Sequence, residues 1–599
     1  MQALSRHGLR MAVTLVPLLL AVLHTVGVVP MGLLQRLDDL IYDARLRAAM
    51  PATLDERVVI VDIDEKSLSE LGQWPWPRDR LARLVDLLFD QHGVALLGLD
   101  TVFAEPDVSS GLQHLERLGQ GVLRDQPGFA QQLEQLRPQL DLDRRFAAAL
   151  KGRPVVMGFY LSTDDSGRTT GQLPAPVMQG SALGGRTLRS VPWTGYGANI
   201  AVLAEAAPKA GFFNNVPGAD GVVRSLPLLG EVGGAFYESL ALAMFRQWLG
   251  QPTTVEPGFP AQPMVGKDYG SLESVVLRQG DKTLRIPVDD RLSVLVPFRG
   301  PGGPQGGSFR YLSAADLLAD RVSPGLLKDR IVLLGTTAPG LLDLRATPVS
   351  EAYPGVETHA NLITGLMDRR WITRPDYAAG YEVVVMVVCG LVLALGLPLL
   401  SAARAVALSV AVIGAVIGLN TWLYLGHGLA LPMATTLVMA ALAFALNMSY
   451  GYLVESRAKR ELAQLFGTYV PPELVDEMVK DPDSYSMDAT TRELTVLFCD
   501  MRGFTSIAES MAPTDLQHLL NTVFSRLTQI IRAHRGTIDK YMGDCVMAFW
   551  GAPVEAADHA ALAVKAALAM TQEIERINVE RDAAGLPRIG LGIGLNTGE

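Results

Sequence analysis

Two aspartates near the end of the chain, Asp500 and Asp544, each sit beside a short apolar run and a glycine. Asp500 lies in Leu494-Thr-Val-Leu-Phe-Cys-Asp-Met-Arg-Gly-Phe-Thr505, and Asp544 in Thr537-Ile-Asp-Lys-Tyr-Met-Gly-Asp-Cys-Val-Met-Ala-Phe-Trp550. Carboxylates fixed at the ends of rigid strands can share divalent cations, the arrangement that supports in-line displacement at phosphorus. The elements that must hold them are legible in the pattern. Residues 495–499 read as a strand, 513–534 as a helix, and 537–542 with 545–550 as a hairpin. In the helix, Leu516, Leu519, Leu520, Val523, Leu527, Ile530 and Ile531 recur on one face, with Pro513 near the start. A second helix over 557–577 and a strand over 589–595 complete a βαββαβ order, that of a ferredoxin-like palm.

Composition bounds the rest. A chain of 599 residues exceeds one core. A hydrophobic fraction of 49% and a mean hydropathy of +0.22 point to membrane segments. The net charge of -10 argues against a nucleic-acid partner, which needs clustered Lys and Arg. Cysteines occur only at 389, 499 and 545, without the spacing of a zinc site or a disulfide framework. Cys499 and Cys545 read as small apolar strand residues.

Four apolar runs are long enough to cross a bilayer: 11–34, 383–400, 406–425 and 429–453. The first lacks a small-x-small cleavage site and reads as an uncleaved signal anchor rather than a signal peptide. Arg6 and Arg10, Arg404, and Arg457, Lys459 and Arg460 mark cytoplasmic ends; Arg369, Arg370 and Arg374 run against that rule, which a large folded domain tolerates. The expected topology is a multi-pass protein of the plasma (inner) membrane, with residues 1–10 and everything after 455 cytoplasmic and 35–380 outside. The fold class expected is a multi-domain α/β membrane protein.

In the outer segment, residues 57–64 and 94–100 read as strands around a helix over 80–91, a crossover unit of an α/β core. Runs 330–335 and 292–297 are expected to extend that sheet. Asp62, Asp64, Asp100 and Glu105 fall at strand ends, where such sheets place a crevice but where capping also favours acids. Trp74-Pro-Trp-Pro77 reads as a packed turn. Gly300-Pro-Gly-Gly-Pro-Gln-Gly-Gly307 reads as a flexible surface loop, because its prolines remove donors and no Lys-Ser/Thr follows.

Val61-Asp-Ile-Asp-Glu65, Trp74-Pro-Trp-Pro-Arg78, Gly98-Leu-Asp-Thr-Val-Phe-Ala-Glu-Pro106 and Phe212-Phe-Asn-Asn215 resemble a CHASE2 sensor domain, which implies a sensor without naming its signal. Past the last span, Leu453, Leu462 and Leu465 line one helical face. Phe466-Gly-Thr-Tyr-Val-Pro-Pro-Glu-Leu-Val475, with a helix stop at Pro471 and Pro472, resembles the connector ahead of bacterial class III cyclase domains. Residues 454–490 are thus expected to couple the spans to the domain at 491–599.

That domain resembles the class III nucleotide cyclases through Phe498-Cys-Asp-Met-Arg-Gly-Phe-Thr505, the 536–551 hairpin and Gly592-Ile-Gly-Leu-Asn-Thr-Gly-Glu599. The resemblance implies that Asp500 and Asp544, with the Met501 carbonyl, bind two Mg2+ or Mn2+ ions per site. One activates the ribose 3′-hydroxyl for attack on the α-phosphorus, and the other neutralises the β- and γ-phosphates. It implies that Gly503, Phe504 and Thr505 offer backbone donors to phosphate, and that Lys540 reads adenine N1 where guanylate cyclases carry a glutamate. It also implies a homodimer, through this domain and the coupling helix, with metal ligands and Lys540 from different subunits. The expectation is a receptor adenylate cyclase acting on ATP. Guanylate cyclase, or a cyclase-like domain used only for dimerisation, are the alternatives. Because the family's second purine-reading residue and its Asn-Arg pair fall beyond Asn-Thr-Gly-Glu, the domain is expected to be C-terminally incomplete and poorly active as written.

Overall fold

The computed structural model describes residues 2–455 and 491–599, apart from 127, 165, 187, 189, 251–252, 260–271, 339, 342 and 553. The coupling segment 456–490, including Leu462, Leu465 and the 466–475 connector, lies outside the described residues. The chain divides into two units, Met1–Asn447 and Met448–Glu599.

In the first unit, four helices are long and apolar enough to cross a membrane: Gly8–Thr25, Ala378–Leu399, Ala402–His427 and Ala434–Leu453. Two spans differ from the reading above. The first apolar run was expected to be one helix over 11–34. Helix α1 (Gln2–Thr25) instead stops before a turn with Gly27 at φ +81° and Pro30, and α2 (Gly32–Ala49) begins beyond it. Glycine in the left-handed region and a proline without an N–H break the helix although hydropathy continues. The last span is expected over 429–453, but residues 429–433 lie outside the helix, which begins only at Ala434.

The sensor core is built on strands β1 (Asp55–Ile63), β2 (Leu96–Leu99), β3 (Val155–Ser162), β4 (Ala210–Phe212), β5 (Phe309–Ser313) and β6 (Ile331–Thr336). Within an eight-stranded sheet they pair parallel in the order β5-β1-β6-β2-β3, with β4 also on β3. Val58 to Val61 and Ile331 to Leu334 are buried throughout, as expected of strands covered on both faces. Helix α3 (Arg78–Asp86) covers one face, and α4 (Leu240–Trp248) with α5 (Gly355–Met367) the other. The run at 330–335 joins the sheet as expected. The run at 292–297 does not: only Ser293–Leu295 forms a strand, antiparallel to Ser225–Pro227 in a separate ribbon. Pro297 has no N–H to continue a ladder, and Leu292 lies at φ +61°.

Beyond the sensor run α6 (Ala378–Gly396), α7 (Ala402–His427) and α8 (Ala434–Tyr450). Inside the helical layer Asn447 accepts from Arg10 at 2.9 Å and donates to Thr14 at 3.1 Å, joining α1 to α8.

The second unit has β7 (Leu494–Arg502), a short helix α9 (Phe504–Ser510), α10 (Pro513–Ala533), β8 (Thr537–Met542), β9 (Cys545–Trp550), α11 (His559–Ala583) and β10 (Gly590–Gly598). The sheet order β8-β9-β7-β10, antiparallel throughout, is the ferredoxin-like one. Leu519, Val523, Leu527 and Ile531 of α10 and Ala563, Ala566, Met570 and Ile574 of α11 bury one face of the sheet. The strands alternate accordingly: Thr495, Leu497, Cys499 and Met501 are buried, while Phe498, Asp500 and Arg502 are exposed on the other face. Asn578 stands in for a strand partner, accepting from the Ile589 amide at 2.8 Å and donating to its carbonyl at 2.9 Å, and so starts β10. The hairpin strands match the sequence reading, and α11 runs six residues beyond it.

Candidate active site

Register brings the two aspartates together. On β7, Asp500 pairs with Cys545 of β9, and the residue before Cys545 is Asp544, in the two-residue turn that joins Met542 to Cys545. Gly543 takes φ +64° there, a position that costs glycine little. Asp500 is exposed and Asp544 half-buried. The Asp544 carboxyl is pushed above the usual carboxylate range by burial and then by the charge and hydrogen bond of Asp500. Two carboxyls in hydrogen-bond contact repel when both are ionised, unless a proton or a cation lies between them. Among the described residues, no cation is one of the groups acting on Asp544.

This donor set fits a divalent metal: two carboxyls with hard oxygen donors at the edge of a sheet face. No third His, Cys, Asp or Glu joins them among the described residues, so a main-chain oxygen such as that of Met501 or a substrate oxygen would have to complete the shell. Met501 itself points its side chain into the core at 2% exposure. Gly503 caps α9 at φ +71°, and α9 begins with Phe504 and Thr505, four positions along from Asp500. That loop therefore lies beside the carboxylates in sequence and in the fold.

Lys540 is not brought to the pair. A β-bulge at Asp539 shifts the register so that Lys540 opposes Met547 on the uncovered face, and its ammonium lies 3.2 Å from Asp539. Bulges re-aim side chains in this way. The hairpin itself is held on its other side, where the Tyr541 hydroxyl meets Thr528 at 2.7 Å and its ring lies 5.2 Å from Phe524. Trp550, 1% exposed, donates to the His534 carbonyl at 2.8 Å, and its ring fills the space a Cβ on Gly536 would need, at 2.5 Å.

Arg502 was missed by sequence reasoning as a site residue. It lies two positions beyond Asp500 on the same exposed face, with its side chain over Gly590 and Gly592. The period of two in a strand would have found it. Cys499 is 1% exposed, and burial pushes its thiol up to about 12, in keeping with a packing role.

In the sensor unit, the strand-end acids separate. Asp62 and Asp64 line a cavity of about 360 Å3 with Tyr311, Ser313 and Thr337. Asp62 accepts from the Thr337 amide at 2.9 Å and hydroxyl at 2.5 Å, and Asp64 from Ser67 N and the Ser313 hydroxyl, so Asp64 caps the helix Glu65–Leu71. Asp100 is buried 4.0 Å from His359 instead, and Glu105 meets Arg78 only through its backbone carbonyl. Trp76 packs as a turn residue, donating to the Gly72 carbonyl at 2.9 Å. The glycine-rich loop is better anchored than expected: Gly303 N–H donates to buried Glu357 at 2.6 Å, and Gly302 lies against the Tyr353 ring.

A family model for the CHASE2 domain matches residues 15–397, and one for the adenylate and guanylate cyclase catalytic domain matches 487–599. The chain belongs to the CHASE2-domain family, and carries a class III cyclase catalytic domain behind the sensor. Among curated proteins it is 34% identical to adenylate cyclase 1 of Rhizobium meliloti over 139 residues, 23% of this chain and 21% of that protein. It is 39% identical to an adenylate cyclase of Anabaena cylindrica over 114 residues, 18% of this chain and 22% of that one. The chain thus spans about a fifth of the length of these relatives. Among solved structures, the guanylyl cyclase Cya2 is 37% identical over 19% of this chain and 57% of its own, with a TM-score of 0.18.

Proposed function

We propose that this protein is a membrane receptor adenylate cyclase, converting ATP to 3′,5′-cyclic AMP and pyrophosphate under the control of its CHASE2 domain. The observation that carries the reading is the contact of Asp500 and Asp544 at one edge of an uncovered ferredoxin-like sheet, inside the segment that matches the cyclase family. Asp500, Asp544 and the Met501 carbonyl hold magnesium or manganese. When bound, the metal supplies activation of the 3′-hydroxyl and neutralisation of the triphosphate. The Gly503, Phe504 and Thr505 backbone receives phosphate oxygens beside the carboxylates. Arg502, on the same face, adds a fixed positive charge next to the phosphates.

Lys540 lies on the same uncovered face as Asp500 but pairs with Asp539 rather than with its own chain's two carboxylates, which supports a site completed by a second copy. The uncovered face carries Phe498 at 46% and Met542 at 42% exposure, apolar surface that a homodimer would cover. Lys540 of one copy would then donate to adenine N1 of an ATP whose phosphates lie at the carboxylates of the other. Three candidate spans separate residue 377 from residue 455, and an odd number of crossings supports sensor and catalytic domain on opposite sides of the membrane; Arg6, Arg10 and Arg404 support the cytoplasm as the catalytic side.

The test is nucleotide choice by the full-length protein in membranes with Mn2+. Cyclic AMP from ATP should exceed cyclic GMP from GTP at least about tenfold, and Lys540→Glu should narrow or invert that ratio. A wild-type preference for GTP would overturn the adenine reading.

A further inference from the structure

Both ends of the sensor domain grip the same short loop, Gly428 to Met433, between α7 and α8. At its entry end, Asp38 of α2 accepts from the Met433 and Ala434 backbone amides at 2.8 Å each, so it caps a helix almost four hundred residues away. About two turns along the same helix, Arg45 donates to the Leu431 carbonyl at 3.2 Å and lies over the Tyr424 ring at 5.2 Å. At its exit end, Thr373 pairs as a strand with the loop: its N–H donates to Gly428 O and its carbonyl accepts from Ala430 N, both at 2.8 Å. The neighbouring Ile372 is bridged to Leu295 of the sensor's small ribbon. Gly428 sits at φ +65° with Trp371 O 2.7 Å from where a Cβ would stand, so the approach admits only glycine.

The capped amides belong to the first turn of α8, where backbone donors have no partner within the helix and the dipole favours a negative charge. Met433 and Ala434 are buried, so without Asp38 these donors are left unsatisfied. Arg224 fixes α2 in turn, holding Asp43 through two 2.8 Å bonds and so tying the helix to the sensor body. A rotation or shift of α2 relative to the exit segment therefore moves the head of α8. The other end of α8 is the end from which the chain continues to the catalytic domain.

We infer that the Asp38 carboxylate is a latch that sets the position of α8 from the sensor domain, and that loop Gly428–Met433 is where a change in the sensor is passed to the last span. The inference rests on the sensor reading above. Its test reads helix position and amide protection, so it stands or falls independently of turnover.

The experiment uses the full-length protein in lipid nanodiscs, with spin labels introduced as non-canonical amino acids at Leu54 and Leu446, both exposed, so that the three cysteines stay as they are. Asp38→Ala should raise hydrogen exchange at the 433 and 434 amides about tenfold and shift or broaden the Leu54–Leu446 distance by about 2 Å. Asp38→Asn, which keeps an acceptor oxygen, should restore both. An unchanged distance in Asp38→Ala overturns the latch even if exchange rises, because the cap is then local. So does an Asp38→Asn protein that behaves like Asp38→Ala. Should Asp38→Ala fail to fold, Arg45→Gln replaces it, with a smaller displacement in the same measurement expected and none overturning the inference.

Discussion

The sensor and catalytic units place acids at strand ends in opposite ways. In the sensor unit, Asp62 takes two bonds from Thr337 and Asp64 takes Ser67 and Ser313 at the ends of the parallel sheet, and buried Glu357 on the covering helix α5 takes Tyr311, Tyr353 and Gly303 N–H. Each is satisfied by neighbouring donors. In the antiparallel sheet, Asp500 and Asp544 meet each other instead, on a face that neither helix covers. Acids of the same kind are thus held by hydrogen-bond donors in one unit and by contact with each other in the other, which is why the second pair is proposed to take a metal. What separates them is whether the fold supplies donors, and that depends on elements distant in sequence.

Substitutions should therefore cost stability in the sensor and activity in the catalytic unit. The largest stability effect is expected at the buried Asp43–Arg224 pair, where Asp43→Ala leaves a guanidinium with 8% side-chain exposure to Asp220 and a distant Asp39. The sensor's unfolding transition should lose about 3 kcal/mol, and a loss below about 1 kcal/mol would show the pair to be dispensable.

Asp62 sharpens the contrast through pH. Burial, as the largest cause, raises its pKa from 3.8 to about 6 despite the Thr337 bonds. A folded-state value above the unfolded one means that the folded protein holds the extra proton. The contribution of Asp62 to stability is fully present below about pH 4 and declines by about 3 kcal/mol as pH rises through 6. Asp62→Asn keeps the geometry and removes the charge, so the difference between wild type and mutant unfolding midpoints should appear between pH 4 and 6. A pH-independent difference would contradict the assignment.

Smaller effects come from packing and capping. Gly536→Ala drives a methyl into the Trp550 ring and should destabilise the catalytic unit by about 2 kcal/mol. Asp64→Ala removes the cap on Glu65–Leu71 and should cost the sensor about 1 kcal/mol, read as a lower thermal midpoint.

Local pattern carried much of this fold into the sequence. The 537–550 hairpin was legible to the residue because its apolar alternation and Gly543 are both local signals, and α10 because its stripe repeats over about four turns. Features set by distant partners were not. The run at 292–297 has the composition of a sheet strand yet pairs with Ser225–Pro227, and the bulge at Asp539 that turns Lys540 leaves no mark in composition. Asp38 is one of three acids on α2, a helix the sequence reading did not single out, and nothing local announces that it caps α8. For the candidate site, the identity of Asp500 and Asp544 was legible, while their contact depended on a register that pairs Asp500 with Cys545.

The most direct measurement takes turnover and stability together for Asp500→Asn in the full-length protein with Mn-ATP. The account predicts that cyclic AMP formation falls by about a thousandfold or more, the scale of a lost metal ligand. The catalytic unit should unfold no more readily than wild type, because a repelling carboxylate has been removed. Wild-type turnover by Asp500→Asn, or a loss of activity explained by an unfolded catalytic unit, would contradict the claim that Asp500 and Asp544 form the metal site.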